Sequence, residues 1–569
     1  MAVYDRDMRL RPWLRHYPDR IPPNLEYPKV PLYQFLKDSA EVRSGQTALV
    51  FFGKRTSYAA LLDEVKRVAG GLVRLGLKKG DRVAVILPNC PQVVATYYGV
   101  LWAGGVVVML NPLYTPREIQ VQLQDAGARF IVALDLVYPR VAQEFGDTDL
   151  EKIVVTSIQE RLPFPLSLLY RLRLRLRRQA PTIPKDDRTM RYARLVSGDR
   201  LDQPVPVEPE SDLAVLQYTA GTTGVPKGAM LTHFNLVSDC IQIGSWYPHS
   251  RHAQVSILGA LPFFHAYGMT TAMNYGIMVG ARIVLLPRFE VQRVLETIQK
   301  HKPQLFPGVP AMYVALNHHP NVERFDLSSI EWCISGAAPL PPEVKETFER
   351  LTGGQSLEGY GLSEASPVTH CNPPDGVNKT GSIGLPFPDV DCRIIDMETG
   401  EPVSQGEVGE LLIRGPQVMK GYWNRPEESS AMLGDGWLHT GDIARMDEQG
   451  YFTIVDRKKE MILVSGFNVY PREVEDVLYM HPAVKEAAVI GVPDSQRGES
   501  VKAFVVLKEE LLCSGDDLIA WSRERLAVYK VPRQVEFVMD LPKSLIGKVL
   551  RRVLVEQDRD QRADAALES

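Results

Sequence analysis

Cysteine is scarce in this chain of 569 residues, with six cysteines and no paired spacing among them. This scarcity argues against a disulfide framework, gives no zinc-binding pattern and favours a reducing, intracellular location. The first thirty residues carry charges throughout and lack an apolar run, which excludes an ordinary secretory signal. We therefore expect a protein of the cytoplasm.

An excess of one sign of charge is also missing, because 65 basic and 69 acidic residues leave a formal net charge of -4. This balance gives no global electrostatic basis for binding nucleic acid. Hydrophobic residues make up 45% and charged residues 24%, which is typical of a globular protein. The chain is longer than one hydrophobic core serves, so we expect a large body and at least one further domain.

Long uncharged segments are few, and residues 93–110 are apolar and just long enough to be considered as a membrane span. Gly104 and Gly105 interrupt this segment. Apolar residues before the glycines recur at helical spacing, and residues 106–110 after them are typical of a buried strand. The pattern favours a helix followed by a strand over a transmembrane helix.

Apolar segments along the chain alternate between helical and strand periodicity. Helical spacing runs from Leu61 through Leu72 to Leu75, Gly76 follows as a plausible cap, and residues 83–87 then form an apolar strand. The alternation continues at residues 130–136, 281–286 and 330–335. It predicts an α/β fold whose parallel sheets are covered on both faces.

The pattern changes after about residue 402 to short β-type segments at residues 408–414 and 451–455. A compact tail of helices and strands follows Asp456. We therefore predict a large domain over residues 1–455 and a smaller one over residues 456–569.

Residues 166–178 alternate leucine with arginine and contain no acidic residue. A solvated surface helix or strand is one interpretation of this segment. The other is reversible docking to anionic lipid, because arginine stems can lie along a membrane surface. The sequence leaves both open.

Residues 218–228 (YTAGTTGVPKG) directly follow the apolar stretch 213–216. Glycine lets backbone N–H groups approach a ligand and threonine adds hydroxyl donors, so such a loop after a strand can wrap phosphate groups. It is not the usual Walker loop, because Lys227 is followed by Gly228 instead of serine or threonine. The segment predicts a phosphate-binding loop of another kind.

This loop resembles the signature of the adenylate-forming superfamily, which includes acyl-CoA synthetases, firefly-type luciferases and the adenylation domains of peptide synthetases. Seven more family motifs follow in order, at residues 261–268 (LPFFHAYG), 335–340 (SGAAPL), 358–364 (EGYGLSE), 439–442 (HTGD), 456–460 (DRKKE), 465–471 (SGFNVYP) and 542–548 (PKSLIGK). The resemblance implies a large N-terminal domain of layered mixed sheets with helices and a small β-barrel-like subdomain. It also implies a small, mobile α+β C-terminal domain.

The resemblance assigns the phosphates of ATP to Thr219, Gly221, Thr222, Thr223, Gly224 and Lys227. Glu364 is implied to hold Mg²⁺ with help from the Thr219 hydroxyl, since oxygen ligands suit this ion. Ser363 stands where threonine is more usual in the motif and keeps a hydroxyl there. Without the family context, Glu364 would be an ordinary surface carboxylate.

Three further roles concern the nucleotide. Asp442 and Arg457 are implied to grip the ribose, and Gly359 and Tyr360 to line the adenine. Lys548 is implied to stabilise the charge that develops as pyrophosphate leaves. No general base is needed, because a carboxylic acid with a reference pKa of about 4 is already ionised.

The remaining roles concern the acyl group and coenzyme A. His265, Gly336 and Ala337 are implied to lie at the acyl pocket, although a core histidine and a tight turn are the simpler interpretations. Asp456 matches the family's hinge, and Gly466 and Phe467 match its coenzyme A channel. Lys530 and Arg533 are candidate contacts for the coenzyme A phosphates or plain solvated charges.

The resemblance is closest to bacterial long-chain fatty acid CoA ligases, and it implies an AMP-forming ligase that uses ATP, Mg²⁺, a fatty acid and coenzyme A. Alternatives are an adenylate former that loads a carrier-protein thiol, an aryl or medium-chain acyl-CoA ligase, a luciferase-like oxygenase and a catalytically silent scaffold. We expect no nucleic-acid partner. Peripheral contact with the inner face of the cell membrane is compatible with the sequence, and the oligomeric state, a homodimer included, stays open.

Overall fold

The computed structural model describes residues 11–176, 181–184, 186–219, 226–247, 254–465, 467–494, 497–508, 511–544 and 549–567. The chain divides into two compact units. We call Met1–Asp391 with Arg414–Leu438 the first unit, and Cys392–Ile413 with His439–Ser569 the second unit.

The strands of the first unit are β1 (Thr47–Phe51), β2 (Lys54–Ser57), β3 (Arg82–Ile86), β4 (Val106–Met109), β5 (Phe130–Leu134), β6 (Lys152–Thr156), β7 (Thr189–Arg191), β8 (Leu213–Thr219), β9 (Lys227–Thr232), β10 (Ser256–Gly259), β11 (Arg282–Leu285), β12 (Leu305–Gly308), β13 (Trp332–Ser335), β14 (Gln355–Gly361), β15 (Val368–Cys371) and β16 (Leu385–Pro386).

Its helices are α1 (Gln34–Val42), α2 (Tyr58–Arg74), α3 (Pro91–Trp102), α4 (Pro116–Ala126), α5 (Tyr138–Gln143), α6 (Leu166–Leu176), α7 (Tyr192–Leu195), α8 (His233–Trp246), α9 (Ala266–Gly268), α10 (Tyr275–Met278), α11 (Val291–His301), α12 (Pro310–Asn317), α13 (Pro342–Thr352) and α14 (Pro426–Met432). A π-helical segment, Met269–Asn274, joins α9 to α10.

Two large sheets organise the described part of the first unit. One has seven strands in the order β7-β6-β5-β3-β4-β8-β9, and the other has nine in the order β16-β15-β14-β13-β12-β10-β11-β1-β2. In the first sheet β8 and β9 are antiparallel, and the other neighbouring pairs are parallel. The second sheet is parallel from β1 through β14 and antiparallel at both edges.

The segment at residues 93–110 shows how sequence produces this architecture. Helix α3 begins at Pro91, where a missing N–H costs nothing, and it is buried along its whole length. The chain turns at Gly104 and Gly105 and enters β4, whose four residues are all buried. Both faces of the sheet are covered, so the strand is apolar throughout instead of alternating.

Local signals also fix the helix ends. Helix α4 begins with a capping box in which Thr115 and Glu118 satisfy each other's backbone N–H groups, and it ends at Gly127 in the left-handed conformation. Helix α2 begins at the N-cap Ser57 and carries the predicted apolar face from Leu61 to Leu72, all buried at those positions. The α/β class predicted from the alternating segments is confirmed.

The second unit contains β17 (Asp391–Ile395), β18 (Gly409–Arg414), β19 (Leu438–Met446), β20 (Phe452–Arg457), β21 (Ile462–Val464), β22 (Phe467–Val469), β23 (Val484–Asp494), β24 (Gly498–Leu507) and β25 (Gln534–Phe537), with helices α15 (Pro471–Tyr479), α16 (Gly515–Arg523) and α17 (Arg551–Leu567).

Its described strands form a four-stranded sheet, β17-β18-β19-β20, and a five-stranded sheet, β22-β21-β24-β23 with β25 beside β24. The four-stranded sheet therefore groups with the tail of the chain instead of with the first unit. Strand β20 runs through Asp456 without a break, with Asp456 opposite Ile443. A functional boundary between residues 455 and 456 stays a prediction.

Across the described ranges, no helix combines the length and the apolar character that crossing a membrane requires.

Candidate active site

The stem of the predicted phosphate loop is an antiparallel hairpin formed by β8 and β9. Tyr218 pairs with Gly228, and Thr219 pairs with Lys227, so the loop leaves and re-enters the sheet at one point. Gly221, Thr222, Thr223 and Gly224 lie outside the described residues. The hairpin sets Thr219 and Lys227 side by side at the base of the loop.

A carboxylate lies next to this stem. The short 3₁₀ helix Ser363–Ala365 packs against β8 and β9 and carries Glu364, which is nearly buried. The hydroxyl of Tyr422 donates a hydrogen bond of 2.7 Å to Glu364 Oε1. Burial, and then the negative charge of Glu364, raises the pKa of Tyr422, so its hydroxyl keeps its proton and remains a donor.

Lys227 extends this arrangement. Its ammonium lies 5.5 Å from the centroid of the Tyr422 ring and pairs with the carboxylate of Glu428. A cation at this position is attracted to the ring face. Lys227, Tyr422 and Glu364 therefore form one continuous set of contacts, which we call the Glu364 cluster.

The segment that carries Tyr422 is held against the hairpin by backbone and side-chain bonds. The Met230 N–H donates to the Gly421 carbonyl at 2.9 Å, and the Trp423 N–H donates to the Gly228 carbonyl at 2.8 Å. Asp125 at the end of α4 accepts from the Tyr218 hydroxyl at 2.6 Å and pairs with Arg425 at 2.9 Å.

The predicted adenine and acyl residues lie at neighbouring strand ends. In the parallel pair β13 and β14, Ser335 lies opposite Glu358, so Gly336 and Ala337 leave the sheet beside Gly359 and Tyr360. Ligands of open α/β sheets bind at the carboxyl ends of parallel strands. The structure brings these four residues to such an edge.

Space is tight around both glycines. A Cβ at Gly336 would lie 3.1 Å from the Tyr267 ring, and one at Gly359 would lie 3.3 Å from the His370 carbonyl oxygen. Tyr360 makes an edge-to-face contact with the buried ring of His370, at 5.7 Å between centroids. Burial lowers the pKa of His370 to about 3, so this ring is neutral.

His265 lies half-buried in the turn before α9. Its Nδ1 accepts a hydrogen bond of 3.3 Å from the Tyr267 N–H and so caps that short helix. The Tyr267 hydroxyl in turn donates to the Ile334 carbonyl at 2.8 Å, one strand position before Ser335. His265 and Gly336 are thus both contacts of Tyr267.

A very small apolar cavity, of about 10 Å³, lies behind this edge. Its lining comes from α8, the π-helical segment and the strand ends, and consists of Ile243, Tyr247, Thr271, Leu305, Ile334, Val368, Cys371 and Phe387. A π-helical turn is rare and occurs often at functional sites. Sequence reasoning gave no sign of this cavity, since its lining residues are spread over many elements.

In the second unit, Asp442 and Arg457 form a cross-strand pair between β19 and β20. Arg457 Nε lies 2.9 Å from Asp442 Oδ1, with the carboxylate buried and the guanidinium 38% exposed. Below them, Glu410 accepts from Lys458 at 2.7 Å and from the Gly441 N–H at 3.3 Å. The structure therefore brings Asp442 and Arg457 together as an ion pair on one sheet.

Asp456 is buried in the same sheet. Its two carboxylate oxygens accept from the N–H groups of Arg457 and Arg472, both at 2.7 Å. Arg551, at the start of α17, lies 4.0 Å from Asp456 and makes a two-pronged contact with Glu475 at 2.6 and 3.2 Å. Arg551 also pairs with Glu460.

We call Asp456, Glu460, Glu475 and Arg551 the Arg551 cluster. Burial raises the pKa values of the Asp456 and Glu475 carboxyls, and the guanidinium opposes that rise. The sequence analysis missed Arg551, because a single arginine near the end of the chain carries no local signal.

The predicted coenzyme A residues are only partly described. Phe467 is exposed and stacks on Tyr529 at 4.8 Å between centroids, and Ser465 beside it has a φ of 52°. Gly466 and Lys548 lie outside the described residues. Lys530 pairs with Glu473 at 2.6 Å, so its charge is already matched within the unit.

Sequence profiles of two families match the chain. The profile of AMP-binding enzymes matches residues 36–423, and the profile of the AMP-binding enzyme C-terminal domain matches residues 473–548.

A long-chain-fatty-acid–CoA ligase of Bacillus subtilis (strain 168) is 49% identical over 556 residues, which cover 97% of this chain and 98% of that protein. Among solved structures, ATP-bound MatB from Rhodopseudomonas palustris is 30% identical with a TM-score of 0.82, covering 93% of this chain and 99% of that one. The anthranilate CoA ligase AuaEII in complex with anthranoyl-AMP is 27% identical with a TM-score of 0.82, covering 95% and 99%.

The Arg551 cluster yields a stability prediction. Arg551→Met leaves buried carboxylates without their cation, which costs about 3 kcal/mol in the free energy of unfolding of the second unit at neutral pH. The folded-state pKa values of Asp456 and Glu475, already raised by burial, rise further. Protonation then favours the folded state, so the penalty shrinks as the pH falls from neutrality toward about 4.

Calorimetric unfolding at neutral and mildly acidic pH checks this. The control is the neighbouring Arg552→Met, whose side chain is 66% exposed and pairs only with Glu556 among the described residues. The cluster has no such role if both variants unfold alike, or if the Arg551→Met penalty grows as the pH falls.

Proposed function

The chain belongs to the AMP-binding enzyme family, and on that premise we propose that it is a long-chain-fatty-acid–CoA ligase. It activates a fatty acid with ATP as the acyl-adenylate and releases pyrophosphate, and it then passes the acyl group to coenzyme A and releases AMP. The observation that carries the proposal is the Glu364 cluster at the stem of the glycine- and threonine-rich loop.

Glu364 and Thr219 fit a magnesium ion. Tyr422 bonds one oxygen of the carboxylate, and within the described residues Glu364 Oε2 has no hydrogen-bond donor, so an oxygen ligand remains available. Mg²⁺ prefers one or two carboxylates together with substrate phosphates. When bound, the ion neutralises phosphate charge, while Tyr422 fixes the carboxylate that holds it.

The nucleotide contacts follow from the same assignment. Thr219, Gly221, Thr222, Thr223, Gly224 and Lys227 serve the phosphates, Gly359 and Tyr360 line the adenine, and Asp442 with Arg457 serves the ribose. Ser363 contributes a hydroxyl to the nucleotide site, in the position where threonine is more usual. Asp442 accepts from the vicinal hydroxyls, and Arg457 holds that carboxylate at 2.9 Å in the orientation needed.

In the first half-reaction a carboxylate oxygen of the acid attacks the α-phosphorus of ATP. The bond from that phosphorus to the bridging oxygen breaks, and pyrophosphate leaves. Lys548 stabilises the charge that develops there. The acid is ionised beforehand, so no residue has to remove a proton.

In the second half-reaction the thiol sulfur of coenzyme A attacks the acyl carbonyl carbon. The carbon–oxygen bond to AMP breaks, and the thiol proton passes to solvent. Domain movement is a known means of assembling two sites in turn. We assign the hinge to Asp456 and the thiol channel to Gly466 and Phe467, with the exposed Phe467 ring stacked on Tyr529.

We assign His265, Gly336 and Ala337 to the acyl pocket, because Tyr267, which contacts His265 and Gly336, donates a hydrogen bond to Ile334 of the small apolar cavity behind β13. The cavity holds about 10 Å³, room for no more than one water-sized group, so a long acyl chain requires its lining to open. The small residue at 336 leaves room that a Cβ would close. Because such an acid partitions into lipid, peripheral contact with an anionic membrane belongs to the proposal.

Pyrophosphate release over acids of increasing length tests the substrate class. Each added CH₂ that is buried on binding contributes about 0.8 kcal/mol, so kcat/KM should rise roughly fourfold per CH₂ until the acyl pocket ends. Aromatic acids should be poor substrates. A flat dependence on chain length, or thioester formation on a carrier protein but not on coenzyme A, would contradict the proposal.

The Glu364 cluster yields a second prediction. Glu364→Gln should lower the rate of adenylation at least about a hundredfold and weaken its response to Mg²⁺, because a charged ligand is lost. Tyr422→Phe should cost about tenfold, since only the support of the ligand is lost. Glu346→Gln, on the exposed side of α13, is the control. Equal adenylation by Glu364→Gln and the control would remove Glu364 from the site.

Lys548 yields a third prediction, which separates the half-reactions. Lys548→Ala should lower adenylation about a hundredfold or more, yet change thioester formation from preformed acyl-adenylate by only a few fold. The exposed Lys485→Ala serves as the control. Single-turnover assays of each step measure the difference, and an equal loss in both steps would contradict the role.

A further inference from the structure

Helix α6 (Leu166–Leu176) turns its apolar side outward. Ser167, Tyr170 and Leu174 are the residues of its central turns that are half-buried. At 100° per residue they share one side of the helix. The opposite side carries a stripe of leucines with exposed fractions between 52% and 75%, which are Leu168, Leu169, Leu172 and Leu176.

An ordinary surface helix turns its leucines toward the core and exposes only its polar side chains. Helix α6 instead exposes four leucines together with its arginines. Phe164, 83% exposed, adds apolar surface just before the helix, whereas Leu166 lies by helical position beyond Arg173 and outside the stripe. A contiguous exposed apolar patch marks an interaction site. We call Leu168, Leu169, Leu172 and Leu176 the leucine stripe.

Arginines flank the leucine stripe on both sides. By helical position, Arg171 and Arg175 lie along one edge and Arg173 along the other. Within the described part of the chain, none of the three takes part in an ion pair, and all three are exposed. The sequence has no acidic residue from 161 to 185, so no side chain of the segment itself compensates these arginines.

The helix is nevertheless anchored to the first unit. It packs against the 3₁₀ helix Ile158–Arg161, and Tyr170 and Leu174 face inward. Burial, and then the nearby charge of Asp135, raises the pKa of the Tyr170 hydroxyl. The leucine stripe is therefore presented on a fixed helix with a defined inner side.

The charge decides which partner suits this surface. A second copy of the same helix would bring arginine edges together, and an uncharged apolar partner would leave the guanidinium groups unmatched. An anionic bilayer offers an apolar interior to the stripe and a continuous layer of phosphates to the arginines. Arginine also forms two parallel hydrogen bonds with phosphate oxygens.

We propose that α6 lies in the plane of an anionic membrane surface, with the leucine stripe among the acyl chains and Arg171, Arg173 and Arg175 on the phosphates. Its orientation follows from the inward side, which faces the body of the first unit. This proposal rests on the proposed function, which includes contact with a membrane, and it names the helix that makes that contact. The binding itself needs no catalysis.

Vesicle co-sedimentation of the full chain tests this surface. Wild-type protein should bind vesicles of phosphatidylcholine mixed with phosphatidylglycerol, bind phosphatidylcholine vesicles at least about tenfold more weakly, and be released by salt. Leu168→Ser with Leu172→Ser should weaken binding about tenfold or more. Arg171→Glu with Arg173→Glu should do the same and remove the response to salt.

Two matched controls should bind as wild type does. Leu512→Ser removes a leucine that is 99% exposed in the second unit, and Arg350→Glu reverses an exposed helical arginine on α13. The proposal is overturned if the α6 variants bind anionic vesicles as well as these controls do. It is equally overturned if salt and lipid charge have no effect, or if the variants change only the oligomeric state.

The same samples separate this proposal from the proposed function. If the protein binds vesicles through α6 but releases no pyrophosphate with any acid, the membrane proposal stands and the ligase proposal fails. If the protein releases pyrophosphate with a water-soluble short acid and its α6 variants bind vesicles as wild type does, the ligase proposal stands and the membrane proposal fails.

Discussion

The placement of one nearly buried carboxylate constrains the site in the first unit. An ionised carboxylate removed from water is costly unless hydrogen bonds or a cation compensate it. Glu364 receives one such bond from Tyr422, whose raised pKa keeps it a donor. The ring of Tyr422 in turn lies under the ammonium of Lys227. The hairpin, the 3₁₀ turn and the segment around Tyr422 therefore meet at one corner, at the stem of the predicted phosphate loop.

Much of the fold follows from local patterns. The segment at residues 93–110 could be divided into α3 and β4 because two glycines separate two periodicities. The sequence did not predict that the four-stranded sheet β17-β18-β19-β20 groups with the C-terminal part of the chain. Strand pairing joins residues that are far apart in the sequence. Periodicity reports how one element is buried and carries no information about its distant partners.

The candidate site also contains residues that short motifs could indicate and residues that they could not. The pairing of Thr219 with Lys227 and of Asp442 with Arg457 agrees with motifs that lie within or between short segments. Tyr422 was not predicted, since its contact with Glu364 spans 58 positions and a tyrosine in a polar stretch has no distinctive pattern. The direction of the leucine stripe on α6 was likewise beyond the sequence, because alternating leucine and arginine fit a strand as well as a helix.

The polar groups of the second unit show how the carboxylate of Asp456, our proposed hinge residue, is stabilised inside a sheet. Asp456 is buried within β20, yet two backbone N–H groups and the guanidinium of Arg551 hold its carboxylate. Arg551 also binds Glu475 on α15, and it begins the helix α17 three positions after Lys548. A movement at Asp456 would have to carry or break these contacts. The Arg551 cluster therefore links the proposed hinge residue to the start of α17, which lies three positions after the proposed catalytic lysine in the sequence.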